Sequence, residues 1–162
     1  MSDEMKTRIF SLLVDDQPGV MQRISMVFGR RGINIDSITV GRSTIAGKSR
    51  IILLFRCNDE LTYLMKALLS KLVQVKDVDE LDYESSILRE LALVKVRFPG
   101  EDVKLKIMKE IDEYGARILY VGINYLILEV SGDSAKVQKF LNEMDPKLKI
   151  EVIRSGLAAM PI

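Results

Sequence analysis

The sequence predicts an α+β protein made of two βαββαβ units in tandem, and three observations lead there. Apolar runs of strand length alternate with amphipathic stretches at helical spacing, and their order repeats in the second half of the chain. A polar, turn-prone segment, Asp82-Tyr83-Glu84-Ser85-Ser86, separates the halves. The chain has 162 residues, 48 % of them hydrophobic, more than two cores of this size need to enclose. Apolar faces or strand edges are therefore expected to be shared with another copy or another protein.

The first strand is Arg8 to Val14, an aliphatic run that must stop at Asp15-Asp16. Pro18 has φ fixed near the helical value and lacks an N–H that a first turn cannot use, so it reads as a helix opening. Gly19 leaves the backbone there uncovered. Val20, Ile24, Val27 and Phe28 form an apolar stripe that ends at Arg31 and the stop signal Gly32. Ile33, Ile35 and Thr39-Val40 restart extended structure, and the polar stretch Gly41 to Ser49 reads as a hairpin loop. Arg50 to Arg56 is a strand apolar at successive positions, hence central in its sheet. Asn58 with Asp59 and Glu60 caps a helix carrying Leu61, Leu64, Met65, Leu68, Leu69 and Leu72. Val73 to Leu81 closes the first unit.

In the second half, Arg89 to Phe98 is a strand closed by Pro99-Gly100, and Asp102 to Tyr114 a helix with Gly115 just past its end. Arg117 to Val121 and Tyr125 to Val130 are strands joined by a short turn. Ser131 to Ser134 precedes a helix carrying Val137, Phe140, Leu141 and Met144, which Asp145-Pro146 ends. Leu148 to Ile153 gives a last strand. The domains are thus expected at 7–82 and 89–162, with 83–88 as linker. The apolar stretch Leu157 to Ile162 is open to two readings: cover for a shared face, or a segment folded back on its own domain.

Charges nearly cancel, 24 Lys and Arg against 23 Asp and Glu, so nothing pulls the chain toward nucleic acid or an acidic membrane. No apolar run reaches the length of a membrane span and the first residues are polar, so a cytoplasmic protein without membrane association is expected. Cys57 is the one cysteine and there is no histidine, which excludes Cys–His or Ser–His catalysis and any histidine-containing metal site. The remaining candidate chemistry sits at Asp16 to Gly19. A helix start offers free N–H groups and a positive dipole end to a small carboxylate, and Gly19 permits close approach. Asp16 could accept from an ammonium group. Those two features would suit a free amino acid, although the same residues also make a plain helix start.

The run Asp15-Asp16-Gln17-Pro18-Gly19-Val20, followed by Asn34 within Gly32-Ile33-Asn34-Ile35, resembles an ACT domain, the ferredoxin-like sensing module of amino-acid metabolism. Further runs extend the likeness over nearly all of residues 7 to 160: Ser37-Ile38-Thr39-Val40, Ser49-Arg50, Lys71-Leu72-Val73, Arg89 to Val96, and Glu151-Val152-Ile153-Arg154-Ser155-Gly156. With them the chain resembles the small regulatory subunits of acetolactate synthase. That resemblance implies two ferredoxin-like domains, the first an ACT domain, in a non-catalytic subunit that activates a separate catalytic (large) subunit and confers feedback inhibition by valine in branched-chain amino acid biosynthesis. It implies a homodimer through the ACT domains, with valine between the helix turn of one copy and the second-strand start of the other: Asp16, Gly19, Val20, Asn34 and Ile35. No metal or cofactor is implied for this chain; thiamine diphosphate, magnesium and FAD belong to the catalytic partner. Where that family usually carries Asn, this chain has Asp16, which attracts an ammonium and repels a carboxylate. The competing reading is a freestanding ACT-domain sensor without a catalytic partner. RNA binding through a βαββαβ unit would need an aromatic Gly-Phe-Gly-Phe-type run, and Arg50 to Arg56 offers only Phe55.

Overall fold

The computed structural model describes residues 4–144, 148 and 150–162. The chain forms two compact units, the first taking the residues up to Ile87 together with Leu157–Ile162, the second Leu88–Gly156.

In the first unit, β1 (Lys6–Asp15), α1 (Val20–Gly29), β2 (Ile35–Arg42), β3 (Lys48–Cys57), α2 (Asp59–Ser70) and β4 (Val75–Leu81) give the expected βαββαβ order. The sheet runs β2-β3-β1-β4, all antiparallel, so the two most apolar strands are central. Alternate residues of β1 (Phe10, Leu12, Val14) and β3 (Ile51, Leu53, Phe55) meet Val20, Ile24 and Phe28 of α1 and Met65 and Leu69 of α2 in one core. Phe55 lies edge-on to both Phe10 and Phe28, with centroids 4.9 and 5.0 Å away. Its ring is fully buried, which leaves no aromatic platform on β3 for a base.

The opposite face of this sheet is also covered. Ile9 is fully buried and Ser11 and Ile52 nearly so, although all three alternate away from the helices. Leu157, itself 2 % exposed, donates its N–H to Ser37 Oγ at 2.9 Å, and Ser37 is in register with Leu54, which pairs with Ile9. The stretch that follows forms β9 (Ala158–Pro161), counting the strands of the second unit below, and Ile162 N–H donates to the Ser85 carbonyl at 3.0 Å. Leu157–Ile162, expected within 89–162, thus belongs to the first unit, where Leu157 is buried while Met160 and Ile162 stay exposed.

The second unit repeats the pattern with β5 (Ser86–Arg97), α3 (Glu101–Tyr114), β6 (Arg117–Val121), β7 (Tyr125–Gly132), α4 (Ser134–Glu143) and β8 (Ile150–Arg154). Its sheet runs β6-β7-β5-β8 antiparallel. Val94, Val96, Leu126, Leu128 and Val130 of the sheet pack on Ile107, Val137 and Phe140 of the helices. The runs Arg89-Glu90-Leu91 and Arg154-Ser155-Gly156 lock together here. Arg154 is ion-paired with Glu90, whose side chain is only 5 % exposed, while Leu91 and Ser155 exchange two hydrogen bonds, Leu91 N–H to Ser155 Oγ at 3.0 Å and Ser155 N–H to the Leu91 carbonyl at 2.9 Å.

Several boundaries differ from expectation for local reasons. Helix α1 begins at Val20, because Gly19 takes φ 86°, a left-handed conformation that excludes it and Pro18 from the helix. Strand β4 begins at Val75, because Val75 N–H bonds the Leu72 carbonyl in a turn that leaves Val73 81 % exposed. Strand β5 begins at Ser86, so half of the expected linker is strand. The expected helix end at Asp145-Pro146 lies outside the described residues.

Candidate functional site

The turn between β1 and α1 is held from both sides by the backbone. Asp15 N–H donates to the Gln74 carbonyl at 2.8 Å and Asp16 N–H to the Gly47 carbonyl at 2.9 Å, so the β4 entry and the β2–β3 hairpin both grip it. The Asp15 carboxylate is clamped between Lys48 and, at 3.0 Å, Lys76. Those two ammonium groups hold the Asp15 carboxyl below the usual carboxylate range. Local sequence shows none of these four anchors; Lys48, for one, is placed opposite Asp15 only by the β1–β3 register.

A group whose pKa is lowered in the folded state stabilises the fold above its unfolded value and loses that contribution as pH falls through the folded one. Acidification below about pH 4 should therefore loosen this turn. Asp15→Asn is expected to lower Tm at neutral pH and to flatten the acid limb of a Tm-against-pH curve below about pH 4. Parallel acid limbs for parent and variant would contradict the clamp.

Helix α1 then starts without a lid. Its first internal hydrogen bond is Arg23 N–H to the Gly19 carbonyl, 3.1 Å, and among the described residues no side chain caps it, so the N–H groups of Val20, Met21 and Gln22 lie outside its ladder. By contrast α2 is capped by Asn58, accepting from Leu61 N–H at 2.9 Å, and α4 by Asp133, accepting from Lys136 N–H at 2.7 Å. No heavy atom outside Gly19 and its chain neighbours lies within 4 Å of where a Cβ on Gly19 would stand. Val20 is 5 % exposed and part of the core, so what it can offer a ligand is its N–H.

Asp16 projects beside this opening with its side chain half-exposed, and Arg42 at the end of β2 brings Nε to 3.8 Å of Oδ2. The negative charge that Asp16 adds is thus partly offset within the same chain. Asn34 is exposed just before β2, and Ile35, half-buried, opens that strand opposite Phe55. The structure therefore groups Asp16, Gly19 and Val20 at one turn and places Asn34 and Ile35 at the head of the edge strand. Among the described residues strand β2 has β3 on one side and no strand on the other, and it exposes Ile38 and Val40. Among the described residues no group of three or more His, Cys, Asp or Glu could hold a metal ion, and no helix is long and apolar enough to cross a membrane.

Comparison with known proteins fits this geometry. Residues 10–77 match the model of the acetohydroxyacid synthase (AHAS) small subunit-like ACT domain, and residues 89–161 that of the small subunit of acetolactate synthase. The probable acetolactate synthase small subunit of Methanothermobacter thermautotrophicus is 37 % identical over 97 % of this chain and 94 % of its own. This chain belongs to the acetolactate synthase small-subunit family. The acetolactate synthase small subunit of Mycobacterium leprae is 31 % identical over 96 % of this chain and 92 % of its own. The crystal structure of the Thermotoga maritima small subunit superposes with a TM-score of 0.88 at 35 % identity, covering 97 % of this chain and 98 % of that one. The acetolactate synthase small-subunit family thus accounts for both units, an ACT domain first and a second ferredoxin-like domain after it.

Proposed function

We propose that this small subunit is a non-catalytic regulator that binds a catalytic acetolactate synthase subunit, raises its activity and makes it sensitive to valine. The observation that carries the effector site is the uncapped start of α1 at Gly19, held rigid by the Asp15 and Asp16 backbone anchors. A valine carboxylate takes the N–H groups of the first turn, which the positive helix end favours. Its ammonium is drawn by Asp16, which Arg42 neutralises only in part. Two copies pair along the open edge of β2, covering Ile38 and Val40 and bringing Asn34 and Ile35 of one copy to the turn of the other. Thiamine diphosphate, magnesium and FAD are held by the catalytic partner, and the chemistry takes place there.

Regulation follows by linkage. Valine lowers activity by binding one arrangement of the complex more tightly than another, a coupling of about 1–3 kcal/mol. A methylene more or less in the ligand is worth a similar ~1–3 kcal/mol, so leucine and isoleucine compete at higher concentration. The test mixes the chain with its cognate catalytic subunit and titrates valine while acetolactate formation is followed. The rate is expected to rise on mixing and to fall as valine saturates. An unchanged rate on mixing, with valine still stabilising the free chain, would instead establish a freestanding sensor. Valine at about 100 times its dissociation constant should raise stability by roughly 2.7 kcal/mol.

A further inference from the structure

The outer surface of the helical layer carries a feature that effector binding does not use. Between α1 and α2 lies a groove of about 410 Å³ with Val27, Leu68 and Leu72 in its wall and the exposed Arg30 and Arg31 at its rim. Met26 on α1, 46 % exposed, and Val73 after α2, 81 % exposed, continue apolar surface in the sequence beside it. Past the acidic first turn of α2, Asp59-Glu60, the segments that line it carry charges of one sign. Residues 17–35 and 61–75 hold five cations, Arg23, Arg30, Arg31, Lys66 and Lys71, and not one Asp or Glu, in a chain whose total is +1. Among the described residues neither Arg30 nor Arg31 forms an ion pair.

We infer that this groove is the docking site for an acidic amphipathic segment of the catalytic subunit, an inference that rests on the function proposed above. The apolar wall demands an apolar stripe, and the guanidinium rim demands carboxylates beside it, the combination presented by a helix laid into a groove. A nucleic acid would satisfy the cations but would find no aromatic side chain in the groove on which to stack. A small carboxylate would leave the exposed flanks at Met26 and Val73 uncovered. A second copy of this chain fits poorly, since its most acidic helix, α3, sets Lys104, Lys106 and Lys109 among its exposed Leu105 and Met108, cations that the guanidinium rim repels. Charge complementarity of this kind acts on association rate and makes binding sensitive to salt.

The test uses the full chain and the purified cognate catalytic subunit. Arg30→Glu/Arg31→Glu should weaken their association at least tenfold and abolish most of its salt dependence, while the free variant keeps its thermal midpoint and its stabilisation by valine. Arg30→Lys/Arg31→Lys should retain most of the binding. As a control for bulk charge, Lys106→Glu/Lys109→Glu on α3 should leave association within about twofold. Unaltered binding by the first variant would overturn the assignment, as would equal weakening by the control. So would loss of valine stabilisation or of self-association in place of complex formation, which would make the groove a small-carboxylate site or a contact between copies. If the parent chain itself does not bind, the proposed function fails and this surface with it.

Discussion

Gly19→Asp is expected to abolish valine inhibition while leaving stimulation of the catalytic subunit in place. The substitution sets a carboxylate against the ligand's own at the mouth of α1. Two like charges about 4 Å apart repel by about 1 kcal/mol in water and about 4 kcal/mol near a protein surface, enough to shift the valine response by one to three orders of magnitude. The left-handed backbone at Gly19, φ 86°, adds strain of about 1–2 kcal/mol for a side chain, and Asp is among the residues that tolerate it best. Gly19→Ala separates the two effects, since it carries the strain without the charge and meets no neighbouring atom within 4 Å. It should lower Tm by a few degrees and keep inhibition. Equal inhibition of the Asp variant and the parent would refute the site.

Arg154→Met should strongly destabilise the second unit. It leaves the Glu90 carboxylate, 5 % exposed, without its cation, and an uncompensated buried charge costs on the order of 3 kcal/mol. Against a total of about 5–15 kcal/mol that is a large share, and urea midpoints will show it. Glu90→Gln in the same chain should restore most of the loss, because the charge that needed the partner is gone. A coupling energy near zero in that double-mutant cycle would show that the pair contributes nothing.

Much of this molecule is legible from local chemistry alone. Asn58 announces α2 and indeed caps it, and Gly115 announces the end of α3, where it takes φ 62°. The unbroken apolar run of β3 identifies a central strand because only a strand covered on both faces can afford it. The turn proposed as the site was legible in its own residues, Asp16 to Gly19. What was not legible is everything fixed by long-range register: Lys48 and Lys76 on Asp15, and Arg42 beside Asp16, come from elements at least 26 residues away. Leu157 meeting Ser37, 120 positions apart, is the extreme case. Leu157 announces itself as a core residue, but nothing within its own few neighbours says against which sheet.

That distant pairing gives synthesis a consequence. Because Leu157–Ile162 belongs with the first unit, while Leu88–Gly156 intervenes, a ribosome must translate the whole second unit before the first acquires its last strand. Until then Ser37 lacks the Leu157 N–H that it accepts from in the finished fold, and a nascent chain stalled or cleaved before Leu157 leaves that part of β2 without its partner.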